Sequence, residues 1–190
     1  MLIDQLPPIT KDTFWDAPIK VGLATALICL LAPIEFSLGG QIPITCQSLV
    51  VLVTAMILGA NMGAIAAVLY LVLGFLGLPV FAEGSSGLAK LWGPTGGFLL
   101  AFPIAAWLAG KMADGYWGRK WINILFTFLS THLLILLIGF TWLGVLAGFE
   151  GILEKVYPLL PGLYVKVLIG TILVALANAI MARIARSNTA

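Results

Sequence analysis

Between residues 49 and 78 the chain is apolar almost without interruption, broken only by Gly59-Ala60-Asn61-Met62-Gly63. Such a run belongs in lipid, where every backbone N–H and C=O must be paired within the protein, a condition that helices meet along their own length. One helix over these residues would be about 45 Å long, well beyond a hydrocarbon core of about 30 Å. The alternative is two short helices meeting at Asn61, each a little under the usual spanning length. The composition agrees with a membrane setting. Hydrophobic residues make up 61% of the 190 and charged residues 9%, against roughly 25% charge in soluble domains, and the mean hydropathy is +1.10. The chain reads as a polytopic membrane protein with one integral membrane domain over 1–190. A net charge of +2 without any basic run argues against a nucleic-acid surface.

Charge placement decides the number of crossings. With two helices in the 49–78 run, there are six spans and both termini lie on one side. Lys11, Lys20, Lys111, Arg119, Lys120, Arg183 and Arg186 then share that side, against Lys90 and Lys155 opposite. With one helix there are five spans and the split is four against five. The positive-inside rule prefers the first arrangement. The expected fold is therefore all-α, with six transmembrane helices and both termini in the cytoplasm. Residues 1–18 form a cytoplasmic or interfacial segment, with Phe14 and Trp15 as interfacial anchors, and 19–186 form the bundle. Span one covers about 19–36, span four about 98–109, span five about 122–146 and span six about 163–185. The polar start carries Asp4, Asp12 and Asp16 and lacks a basic leader region, so no cleavable signal peptide is expected.

On this topology the external connections 39–47, 78–98 and 150–162 face one side and can converge into a pocket. The segment 78–98 is rich in glycine, and Pro94 forbids a continuous helix. It also carries Phe81, Leu88, Leu91 and Trp92, too apolar for a solvated linker. A loop of this kind packs as a lid or lines a cavity, and it reads as part of a binding site. Lys166 lies in the first turns of span six. A charge there is costly, about 2.5–3.5 kcal/mol on insertion scales, and marks a functional site by default. Snorkelling to the interface is the competing account. An anionic group on a small ligand is its natural partner. Thr45 and Gln47 at the entrance to span two, and Thr95 at the entrance to span four, can donate to and accept from a ligand. Both threonines equally suit helix capping.

Other residues read as structural. His132 stands alone in span five and is expected to be a satisfied packing residue, with no metal site around it. Cys29 and Cys46, without a CxxC pattern, read as small packing side chains. No nucleophile–base pair or hydrolase motif is visible, so the chain is not expected to be an enzyme.

Three ordered motifs carry a family resemblance: Pro43-Ile44-Thr45-Cys46-Gln47; Leu69-Tyr70-Leu71-Val72-Leu73-Gly74 with Gly77-Leu78-Pro79-Val80-Phe81; and Gly93-Pro94-Thr95-Gly96-Gly97-Phe98. Together they resemble the BioY family, the biotin-specific S components of energy-coupling factor (ECF) transporters, over about residues 19–185. The resemblance implies an S-component-like bundle in the cytoplasmic membrane of a prokaryote. Its ligand would be biotin, transported rather than held as a cofactor. Its partners would be a transmembrane T component and two ATP-binding-cassette ATPases, within the lipid bilayer. An S component for a different vitamin is the alternative. Small residues on the first helix serve docking in the family, and Gly22 and Ala26 match them here. Lys166 is then the cation for the valerate carboxylate. Gln47, with Thr45, would serve the ureido ring. Phe81 and Trp92, with backbone around Gly93, Thr95, Gly96 and Gly97, would wall the bicycle. Pro161, Gly162 and Lys166 resemble the family's Pro-Gly-Asp-x-x-Lys pattern, but Leu163 takes the aspartate position. Phe98 stands where a tyrosine is frequent.

Overall fold

The computed structural model describes residues 16–36, 44–114 and 120–187. The anchors Phe14 and Trp15, the turn through Pro43 and the loop basic residue Arg119 lie outside the described residues. Helix α1 (Asp16–Leu31) is followed by a two-residue antiparallel ladder, β1 (Glu35–Phe36) against β2 (Ile44–Thr45), with Glu35 opposite Thr45. Then come α2 (Gln47–Leu58), α3 (Ala60–Phe75), a 3-10 turn (Ala82–Gly84) and the single-turn α4 (Ala89–Trp92). The long helices α5 (Gly96–Ala113) and α6 (Trp121–Ala147) follow. A short α7 (Ile152–Val156) and a 3-10 turn (Tyr157–Leu159) lead into α8 (Leu160–Ser187). The ladder is the one departure from an all-helical chain among the described residues. It also corrects span one, which ends at Leu31 rather than near Phe36, because Pro33 and the ladder follow.

The 49–78 run is two helices, as charge placement requires, but the break is at Gly59 and not at Asn61. Gly59 has φ 87° and ψ 171°, a conformation that side chains disfavour and glycine adopts freely. A Cβ on Gly63 would lie 2.5 Å from the Ala55 Cα, and one on Gly110 would lie 2.4 Å from the Ala60 nitrogen. The break is therefore clamped between α2, α3 and the end of α5 by backbone-to-backbone approach, the device by which helices pack in lipid. Small residues continue this along α5, where Ala101, Ala105, Ala106 and Ala109 are fully buried. Around α5 pack α2, α3 and α6, with α1 against α3 and α8 against α6 and α2.

Among the described residues, three segments are long and apolar enough to cross a membrane: Gly96–Ala113, Trp121–Ala147 and Ile152–Ile184; the helices Gln47–Leu58 and Ala60–Phe75 are apolar but shorter. Leu23, Leu137, Leu168 and Ile172 stand exposed on the outside, which is where lipid-facing side chains belong. Gly59, Gly110 and Asp114 mark one end of the bundle. At the other end α1 and α3 finish, and α2, α5 and α8 begin.

Candidate functional site

At that second end the starts of three helices leave a cavity of about 260 Å³. Its walls are largely apolar, with Phe98, Leu99 and Phe102 from α5, Ile135 and Leu136 from α6, and Leu163 from α8. Polar groups are few. Lys166, half-buried two turns into α8, donates from Nζ to Ser48 Oγ at 3.1 Å. Ser48 sits in the first turn of α2, so this bond ties α2 to α8 across the cavity. Gln47, its neighbour, is buried and donates from Nε2 to the Tyr70 hydroxyl oxygen. The Tyr70 hydroxyl in turn donates to the Val80 carbonyl at 3.1 Å. A cavity residue on α2 is thereby joined through α3 to the loop that follows it.

Of the residues expected to contact a ligand, Thr45, Gln47, Thr95 and Lys166 line this cavity together. Phe81, Trp92, Gly93, Gly96 and Gly97 are not among its lining residues. Phe81 is 2% exposed and packs edge-on against Tyr70 and Phe75; a Cβ on Gly74 would lie 2.1 Å from its ring. Phe81 thus plugs the loop onto α3. Trp92 is 70% exposed and lies beside Trp142. The Gly93 carbonyl accepts from Trp142 Nε1 at 3.0 Å. A Cβ on Gly96 would meet the Leu91 carbonyl oxygen at 1.8 Å, and one on Gly97 would meet Trp142 Cβ at 2.2 Å. These glycines seat the start of α5 under the loop and against α6. Gly22 and Ala26 both lie exposed on α1, and a Cβ on Gly22 would meet nothing within 4 Å. Cys29 and Cys46 are free thiols packed against the core.

Sequence reading missed Ser48, Phe102 and Ile135 in the lining. Ser48 follows Gln47 directly and Phe102 lies one turn beyond Phe98, so helical spacing carried a signal for both. Ile135 had none, as it resembles every other apolar residue of α6. His132 also borders the cavity. Its Nδ1 lies 2.9 Å from the Phe128 carbonyl, as expected of a packing residue, but its buried Nε2 has no partner. Among the described residues no three His, Cys, Asp or Glu side chains gather where a metal could bind.

Residues 9–186 match the BioY family. The chain belongs to that family. It is 39% identical over 143 residues to the probable biotin transporter BioY of Pyrococcus horikoshii, spanning 73% of this chain and 83% of that relative. It is 41% identical over 128 residues to the biotin transporter BioY2 of Lactococcus lactis, spanning 65% of this chain and 66% of the other. The crystal structure of the S-component for biotin from an ECF-type ABC transporter superposes with a TM-score of 0.74 at 22% identity, covering 90% of this chain and 95% of that one. In this BioY-family chain Leu163 is buried and faces the cavity one helical turn before Lys166. The wall beside the lysine is therefore apolar, and its hydrogen-bond partner is the Ser48 hydroxyl.

Proposed function

We infer that this chain is the substrate-binding membrane subunit for biotin uptake, an S component that captures biotin outside the cell and delivers it inward. The observation that carries the reading is the Lys166 ammonium, held by Ser48 in a largely apolar chamber of a BioY-family protein. Biotin pairs one carboxylate with an apolar bicycle and a polar ureido ring. Pockets for such molecules are mostly apolar with a few placed polar groups. The carboxylate lies against Lys166, the only cation bordering the cavity among the described residues. Gln47 from the start of α2 and Thr45 from β2 serve the ureido ring, and Thr95 stands at the start of α5. Phe81, Trp92, Gly93, Gly96 and Gly97 act behind these contacts by fixing the loop and the start of α5.

One membrane domain of six spans in the cell membrane, with both termini in the cytoplasm, is the topology that goes with this function. Lys111 in the last turn of α5 and Lys120 just before α6 lie at the Gly59 end, and Arg183 and Arg186 end α8 there, whereas Lys90 and Lys155 lie at the cavity end. Positive residues favour the cytoplasmic side, so the cavity opens outward. Energy comes from partners: a T component and two ATP-binding-cassette ATPases, with Gly22 and Ala26 on the docking face. The chain itself performs no chemistry on its ligand.

The test is calorimetric titration of biotin into the detergent-solubilised protein, with Lys166→Ala and Lys155→Ala beside it. Hydrogen bonds to charged groups contribute about 1.5–3 kcal/mol, so Lys166→Ala is expected to weaken binding roughly ten- to hundredfold. Lys155→Ala, exposed on α7, leaves it unchanged. A folded wild type that binds no biotin overturns the reading.

A further inference from the structure

We propose that His132 is a specificity residue of the cavity, its Nε2 accepting a hydrogen bond from an N–H of the ligand. The inference rests on the biotin reading, because it names which atoms of that ligand the residue recognises. His132 is 4% exposed and stands in the middle of α6, with Ile135 and Leu136 as the other α6 residues of the cavity wall. Those two lie nearer the C-terminal end of α6, the end at which the loops gather. His132 therefore belongs to the inner end of the chamber, whose α5 wall is lined by Phe98, Leu99 and Phe102.

The ring's hydrogen bonding fixes its role. The Phe128 carbonyl can only accept, so the Nδ1 that lies 2.9 Å from it carries the proton. In the neutral imidazole the other nitrogen is then an acceptor. That nitrogen is buried and finds no donor in the protein. A buried polar atom without a partner is costly, and such atoms in native proteins call for an explanation. Here the ring forms part of a cavity wall, so a ligand can bring the missing donor. Ionised biotin has two N–H groups, and both belong to its ureido ring. The ring end of the molecule is accordingly the end that enters first, towards α6, while the carboxylate is met by Lys166 on α8.

The experiment crosses three ligands with the wild type and two variants, read by calorimetry in detergent. Beside biotin it uses the two lactam analogues in which one or the other ureido N–H is replaced by CH2, a nearly isosteric change. On the wild type, one of the two analogues is expected to bind about tenfold more weakly than biotin, the factor that follows from losing one hydrogen bond of ordinary strength. In His132→Leu, biotin itself weakens by about that factor, and the same analogue loses nothing further. His132→Gln, whose side-chain carbonyl can accept, keeps biotin binding within about threefold of wild type and serves if the leucine variant does not fold. A merely structural histidine would weaken all three ligands alike. Equal binding of biotin and both analogues by the wild type overturns the proposal, as does undiminished biotin binding by folded His132→Leu. Failure of the wild type to bind biotin at all is a different result. It removes the parent reading, and this one with it.

Discussion

Tyr70 shows how one hydroxyl can serve both stability and the site. It is fully buried, accepts from Gln47 Nε2 and donates to the Val80 carbonyl. Tyr70→Phe removes both bonds and strands two buried polar groups, each costing about 1–3 kcal/mol. Thermal unfolding in detergent should therefore show a destabilisation of about 2 kcal/mol or more, together with weaker biotin binding as Gln47 loses its orientation. Unchanged stability would mean that water takes over both partners. The role of Tyr70 was not legible in the sequence, where it is one aromatic inside an apolar run. Lys166 and Gln47 were legible because a cation or an amide in an apolar context is an anomaly that needs a reason. Phe81, Gly96 and Gly97 drew attention for the right motif but act by packing. Aromatics and glycines serve binding and close approach alike, and only contacts such as Trp142 Nε1 to the Gly93 carbonyl, far apart in sequence, tell the two apart.

The helices were legible wherever charge or glycine marks their ends. Two helices in the 49–78 run follow from lysine and arginine placement, whereas the exact break depends on the backbone angle at Gly59, which Asn61 and Gly63 just beyond it disguise. The start of α8 at Leu160 lies three residues before the expected boundary, because Pro161 in a first turn needs no N–H partner and so opens a helix. The glycines separate into two kinds by what surrounds them. Gly63→Ala would drive a methyl to 2.5 Å from the Ala55 Cα, a backbone atom that no rotamer change can move. It should destabilise by about 1–3 kcal/mol or more and loosen α2 from α3. Gly22→Ala, with open space around it, should be neutral or stabilise by up to about 1 kcal/mol through helix propensity. Parallel melting curves of the two variants check the contrast, and equal losses would refute it.

Across the molecule, Lys20, Lys111, Lys120, Arg183 and Arg186 lie at the end away from the cavity while Lys90 and Lys155 lie at the cavity end, and this makes a prediction about sidedness. In intact cells a membrane-impermeant amine reagent should modify Lys155, exposed on α7, and spare Lys120, exposed at the start of α6; peptide mass analysis reads the result, and the reverse pattern would invert the topology. Replacing both Gly22 and Ala26 with leucine puts bulk on an exposed face of α1. It should abolish copurification with the T component and the ATPases while leaving biotin affinity within about twofold, since neither residue borders the cavity. The same overview shows what sequence could not convey: the loop between α3 and α5 is fastened at both ends. Phe81 sits on Gly74 at one end, and Trp142 holds the Gly93 carbonyl at the other. Ala82, just inside one fastening, and Thr95, just beyond the other, border the cavity, so loosening a fastening is expected to change how fast a captured molecule leaves more than how tightly the side chains around it hold. Dwell time and equilibrium affinity can then be altered independently, and a transporter that must both seize a scarce nutrient and surrender it has use for that separation.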